Sequence, residues 1–201
     1  MLTFDGEAHQ YTWNDEPVPS VTQIIGEWVK CGGMYVSIFT GTQVPADKFE
    51  AAGRFGTAVH KMLHYYLEGS LDFGLLTDDL LMIFTQFEAW REIFRPEPLY
   101  IERQLYSERY RYAGTMDLVC TIGRYRWIID YKTGGYDMAG PQLAAYEKLD
   151  QEDGARKPRK RAVLYLPKDG GQWKWVPMEG RQDWTFFETR LFQYNYLKGR
   201  K

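Results

Sequence analysis

The chain has 201 residues, 44% of them hydrophobic and 16% aromatic, enough to bury one sizeable core and short for two. A formal net charge of −2 gives no global attraction to nucleic acid or to anionic membranes, so contact with a polyanion has to rest on local charge. The two cysteines, Cys31 and Cys120, are too few for a cysteine-only zinc or iron–sulfur site, and no apolar run has the length of a bilayer span or the pattern of a signal peptide. The expectation is a soluble cytoplasmic protein with free thiols and no membrane partner.

Leu2 to Trp13 alternates loosely and turns at Asn14-Asp15, which predicts a small hairpin. Pro17-Val18-Pro19 leads into Ser20, with Gln23 three residues on, a capping-box pattern that opens a helix from Val21 to about Lys30, closed by Cys31-Gly32-Gly33. Met34 to Pro45 reads equally well as helix or loop. Asp47 and Glu50 start a longer helix that ends near Leu67. Its Gly53 and Gly56 suggest a kink or a close backbone contact, and His60 and His64 share a face. By itself, His60 reads as a partly buried, hydrogen-bonded histidine. A third helix is capped by Thr77 or Asp78 and stopped after Phe94 by Pro96 and Pro98.

Tyr100 to Ser107 has period two and carries Glu102. Met116 to Ile122 and Trp127 to Ile129 are apolar runs separated by Gly123-Arg124, and so read as an antiparallel hairpin. Glycines at 134, 135 and 140 bracket a loop. A helix from Pro141 to about Gln151 then places Gln142 and Tyr146 one turn apart on one face. The basic run Arg156 to Arg161 reads as a loop, followed by strands at Ala162–Leu166 and Trp173–Met178. The closing helix, about Asp183 to Leu197, spaces Trp184, Phe187, Leu191 and Tyr194 as a core-facing stripe. There is no internal repeat and no linker. The fold class predicted is mixed α/β (α+β): one domain, 1–201, with an N-terminal hairpin and helices (1–95), a core (100–166) and a C-terminal strand and helix (167–201).

The chemistry concentrates between residues 112 and 146. Strand alternation puts Asp130 and Lys132 on one face and Tyr131 on the other. Two carboxylates, Asp117 and Asp130, on neighbouring strands repel each other unless they share a cation. Oxygen ligands with a fixed positive charge nearby suit a hard divalent metal. Taken alone, Asp-x-Lys at a strand end is more often a surface ion pair.

Five elements in order give the triplet its context: Gly56-Thr-Ala-Val-His60, Glu102, Gly114-Thr-Met-Asp117, Asp130-Tyr-Lys132 and Gln142-Leu-Ala-Ala-Tyr146. Together they resemble the PD-(D/E)xK nuclease superfamily and, within it, the RecB-like exonuclease branch. The Pro19–Thr22 segment is similar to the entry of phage-borne members and of the mitochondrial genome-maintenance exonuclease. The resemblance covers roughly Ser20 to Leu166. It implies a restriction-endonuclease-like αβββαβ core, with a central mixed sheet flanked by helices and extra helices before it.

The resemblance also implies roles. His60, Asp117, Asp130 and the carbonyl of Tyr131 would hold one or two Mg²⁺ or Mn²⁺ ions, with no iron–sulfur cluster. Glu102 would be an outer ligand or an orienting group. Lys132 would orient or activate the attacking water. Gln142, Tyr146 and Arg54 would hold Lys132 or the substrate phosphate. The implied activity is hydrolysis of DNA from single-stranded or linear ends in phage or bacterial recombination and repair, in a bacterial or phage-infected cell, with an annealing protein or helicase as a further partner. A structure-selective endonuclease using the same site, and a binding module on a nuclease fold that no longer cuts, stay open. For DNA contact, the sequence offers the basic run, Arg103, Arg109, Arg111, Arg124 and Arg126, base stacking on Tyr110 and Tyr136, and an arch of helices from residues 20–95.

Overall fold

The computed structural model describes residues 1–6, 8, 10–155 and 159–199. The chain opens with an antiparallel three-stranded sheet, β1 (Leu2–Asp5), β2 (Gln10–Trp13) and β3 (Glu16–Val18). Asn14 and Asp15, both left-handed at φ 50° and 68°, make the tight turn between β2 and β3. These are the residue types that tolerate that conformation. The expected hairpin is therefore a meander with one strand more.

Helix α1 is Val21–Ile25, five residues rather than the ten expected. The capping box is present: Ser20 Oγ accepts from Gln23 N–H and Gln23 Oε1 accepts from Ser20 N–H. The far end comes early because Gly26 is left-handed (φ 56°) and its N–H closes on Thr22 O. A second antiparallel sheet comes next, β4 (Trp28–Cys31), β5 (Met34–Ser37) and β6 (Gln43–Pro45), with Gly32-Gly33 as its first turn. The segment expected to form an arch of helices thus holds a small sheet between α1 and the next helix.

Helix α2 (Ala46–Leu67) and helix α3 (Asp78–Phe94) flank a single 3₁₀ turn at Phe73–Leu75. Side-chain space at Gly53 and Gly56 is open, so neither glycine marks a close backbone contact. Arg95, left-handed at φ 48°, ends α3 just before Pro96.

The central sheet is mixed and five-stranded, ordered β11-β10-β9-β8-β7. Its strands are β7 (Glu97–Ser107), β8 (Tyr112–Ile122), β9 (Tyr125–Lys132), β10 (Arg159–Tyr165) and β11 (Lys174–Pro177). The strands β7, β8 and β9 are antiparallel neighbours, and Gly123 (φ 60°) turns β8 into β9 as the sequence predicted. Helix α4 (Ala139–Glu152) crosses over to β10, which lies parallel to β9 with Val163 opposite Asp130. Helix α4 starts at Ala139, two residues ahead of the expected Pro141, so Gly140 belongs to the helix rather than to the loop before it.

Two apolar layers sandwich this sheet. On one face Met116, Val119, Ile128 and Val163 pack with α1, α4 and the closing helix α5 (Asp183–Lys198), whose Phe187 and Leu191 are buried as the stripe predicted. On the other, Leu118, Cys120, Ile129, Tyr131 and Leu164 pack with Val59 and Leu63 of α2 and Phe87 and Trp90 of α3. The architecture is mixed α/β with helices on both faces of a mixed sheet, in the order expected for the core. No helix among the described residues is long and apolar enough to cross a membrane.

Candidate active site

The alternation of β9 sends Ile129 and Tyr131 into the α2–α3 layer and leaves Asp130 and Lys132 on the α4 side. Lys132 Nζ lies 2.7 Å from Asp130 Oδ2. Asp130 is almost wholly buried (2% of its side chain exposed), whereas Lys132 keeps 25%. Gln142 joins them to α4: its Oε1 accepts from Lys132 Nζ (3.2 Å), while its Nε2 donates to Asp130 Oδ1 (2.9 Å) and to Tyr146 Oη (3.1 Å). The one-turn spacing of Gln142 and Tyr146 is what brings both onto this cluster.

Asp117 on β8 completes the acidic pair. Its Oδ2 accepts the Tyr131 N–H (2.8 Å) and its Oδ1 faces His60 Nδ1 at 3.3 Å. The other nitrogen of His60, Nε2, lies 3.1 Å from the Tyr131 carbonyl oxygen. Glu102 Oε1 approaches the same nitrogen as Asp117, at 4.0 Å from His60 Nδ1. Glu102 is left-handed (φ 48°), a conformation that costs a non-glycine residue about 1–3 kcal/mol and tends to be kept at functional sites. Opposite it the alternation of β8 slips, with Met116 packing in the α4 layer and Leu118 in the α3 layer. The slip turns Asp117 and Glu102 toward the same point.

The charges are unevenly shared. Burial opposes the His60 imidazolium, but Asp117, with Asp130 behind it, outweighs burial and raises His60 to about 9. Burial pushes Glu102 up to about 7, and the Asp117 charge adds to that while His60 opposes it. Burial also raises Asp130, against the pull of Lys132. Asp117 ends below its ordinary value despite its burial, because His60, Lys132 and the Tyr131 N–H all favour the carboxylate. Lys132 is likewise raised in spite of burial, by Asp130 and Asp117. Negative charge is in excess, and protons on His60 and Lys132 offset it.

The donor set fits a hard cation. Ligand atoms of His60, Glu102 and Asp117 all lie within 4.8 Å of one another, a span that bonds of about 2.0–2.6 Å to one ion can bridge from opposite sides. The buried Asp130 Oδ2 is met by the Lys132 ammonium at 2.7 Å. Of the ligands the resemblance implied, His60, Asp117 and the Tyr131 carbonyl cluster directly. Asp130 is engaged with Lys132 and Gln142. Glu102, expected only as an outer group, takes its place in the tight cluster. Arg54 is exposed on α2, six residues before His60 and off its face, and no bond ties it to the others.

Several residues put forward for DNA contact are otherwise engaged. Arg156, Lys157 and Pro158 lie outside the described residues. Arg159 to Arg161 form part of β10 instead of a loop, and Arg161 is paired with Glu147 and Asp183. Arg103 and Arg126 converge on Asp150, which is fully buried. Tyr110 and Tyr136 are half-buried, against Trp184 and Tyr165. Sequence reasoning passed over Glu27, which follows the left-handed Gly26 and whose charge acts on Lys132. Its one signal was the glycine that ends α1. No protein-family model matches the chain, and no curated protein matches it.

Proposed function

We propose that the protein is a metal-dependent DNA exonuclease of the PD-(D/E)xK type. The observation that carries this reading is the convergence of His60, Glu102, Asp117, Asp130 and Lys132, from α2 and three adjacent strands, on one half-open acidic site. An apolar sheet has no structural need for three carboxylates beside a lysine, and the strained backbone at Glu102 agrees with a functional demand on that position. The residues that would hold Mg²⁺ or Mn²⁺ are His60, Glu102 and Asp117, with Asp130 and the Tyr131 carbonyl oxygen beside them. When bound, such an ion polarises a phosphoryl oxygen and lowers the pKa of its water.

The chain's own groups supply the rest. Asp130 and Asp117 favour the ammonium form of Lys132 in the metal-free site, and as an ammonium it would serve as a hydrogen-bond donor and counter-charge for the phosphate. Gln142 fixes Lys132 Nζ through Oε1 and is itself fixed by Tyr146 and Asp130, so the lysine is aimed by a network rooted in α4. A histidine among oxygen ligands favours Mn²⁺ over Mg²⁺, and activity with both ions is the expected result.

The test compares end-labelled linear single-stranded DNA with a covalently closed circle, each with Mg²⁺, Mn²⁺ or EDTA. Metal-dependent loss of the linear strand alone supports the exonuclease. Cutting of the circle would replace it with an endonuclease at the same site, and no cutting of either by folded, metal-loaded protein would overturn the reading.

A further inference from the structure

Beside the catalytic cluster lies an open cleft of about 620 Å³, whose walls include Glu27, Trp28, Tyr35, Phe49, Met138 and Gln142. Its volume is in the range of small-ligand sites, about 300–1,000 Å³. Gln142 belongs to both places: one side of this residue walls the cleft, and its amide binds Lys132 and Asp130. A molecule in the cleft is therefore one side chain away from the site.

The aromatic wall is not core. Trp28 on β4, Tyr35 on β5 and Phe49 on α2 are half-buried and belong to none of the three apolar clusters of the fold. Tyr35 and Phe49 stack with centroids 4.1 Å apart at 18°, and Trp28 leans on Phe49 at 5.0 Å. The sheet β4–β6 holds two of the three rings at the cleft, so an element that adds little to the main core has a defined place here. Charge decides what the cleft would accept. No lysine or arginine lines it among the described residues; the cation nearest its rings, Lys30, lies 5.4 Å from the Tyr35 centroid and is paired with Glu50, and the cleft carries the carboxylate of Glu27, held by Ser37 Oγ at 3.3 Å. The lining itself offers a phosphodiester no cation and one carboxylate. A flat, neutral, polarisable group with amino donors at its edge would be welcome, stacked on the rings with Glu27 as acceptor.

Resting on the nuclease reading above, we propose that this cleft takes an unpaired nucleobase of a single-stranded DNA substrate, next to the phosphate held at Lys132. A base inside a duplex is already stacked on both faces and cannot enter, so the cleft makes the enzyme selective for single strands. Stacking of this kind is tolerant of sequence.

The test uses the Lys132→Ala protein, expected to be inactive, with Mg²⁺ and a fluorescein-labelled oligodeoxycytidylate, whose bases carry an amino donor, read by anisotropy, beside a blunt duplex of equal length. Trp28→Ala with Tyr35→Ala is expected to weaken single-strand binding about 10-fold or more and leave duplex binding unchanged. Trp28→Phe, which keeps a ring, restores most of the affinity and shows that the loss is not misfolding. An oligomer carrying abasic positions should bind the parent protein as weakly as the normal strand binds the double variant. Unchanged single-strand affinity, an equal loss for duplex, or full affinity for the abasic strand would overturn the proposal. If those results came with intact cleavage by the wild-type chain, only the cleft assignment would fall. If the wild-type chain cut no DNA, the nuclease reading would fall with it.

Discussion

Gly114 on β8 gives the sharpest test of how the fold positions the site. A Cβ there would lie 2.6 Å from Tyr146 Cε1 and 3.1 Å from both Tyr146 Cδ1 and Val21 Cγ2. Both neighbours are buried, Val21 at 1% exposure and Tyr146 at 6%, so neither side chain can swing into solvent. Overpacking of this kind costs about 1–3 kcal/mol. Alanine recovers ~0.5–1 kcal/mol of backbone entropy relative to glycine. Gly114→Ala should therefore destabilise by about 1–2 kcal/mol, a fall in Tm of about 2–8 °C for a chain of this size. On the proposed nuclease reading, the larger effect should be on hydrolysis. Tyr146 Oη receives the Gln142 amide that aims Lys132, and a 1 Å displacement of such a group can cost about 10²-fold in rate. Thermal melts and initial hydrolysis rates of Gly114→Ala, Tyr146→Ala and the double variant would measure both. With the ring gone, only the 3.1 Å approach to Val21 Cγ2 remains and Val21 gains room to shift into the space left, so the added methyl should cost much less, a coupling of about 1–2 kcal/mol. A Gly114→Ala protein that melts and cuts like wild type, or an equal penalty in the Tyr146→Ala background, would refute the steric account.

Four further outcomes are expected. Asp150→Ala leaves Arg103 and Arg126 (17% exposed each) without their buried partner, and should lose about 3–5 kcal/mol in urea unfolding; a loss below about 1 kcal/mol would mean solvent screens the network. His60 carries its proton up to about 9, above the ordinary 6.5, so its ion pair stabilises the metal-free protein below pH 6.5 and that contribution is lost as pH rises through about 9. Because a metal needs the neutral imidazole, Mn²⁺ affinity measured by calorimetry should rise about 10-fold per pH unit across that window, with Glu102 adding to the slope near 7, and His60→Gln should flatten it. Ser20→Ala removes the capping box of α1 and should cost about 1 kcal/mol by thermal melt; no change would mean that burial of Val21, Ile24 and Ile25 alone fixes the helix.

The parts of this site governed by local periodicity were legible in the sequence. Period two separates Asp130 and Lys132 from Tyr131, helical spacing aligns Gln142 with Tyr146, and Ser20 with Gln23 marks the start of α1. What depends on contacts distant in sequence was not legible. Glu102 looked peripheral because nothing local announces a left-handed residue inside a strand; the opposing slip at Asp117 turns it inward. Arg103, Arg126 and Arg161 looked like free positive charge because Asp150, Glu147 and Asp183, which neutralise them, lie on helices separated from them by at least 14 residues. Trp28 to Ser37 read as the end of a helix and an ambiguous run, although Gly26 had already reversed the chain and Gly32-Gly33 turns a hairpin. Short strands of this kind offer too few residues for alternation to stand out.

The central claim is that the cluster around Lys132 hydrolyses phosphodiester bonds with a metal ion held by its neighbours. The most direct measurement is the rate of product release from a labelled linear single strand, with wild-type and Lys132→Ala proteins at equal, calorimetrically verified Mn²⁺ occupancy. The account predicts cleavage by wild type that stops with EDTA, and loss of at least about 10²-fold in the variant while metal binding persists. Equal rates in the two proteins, or cleavage that survives EDTA, would contradict it.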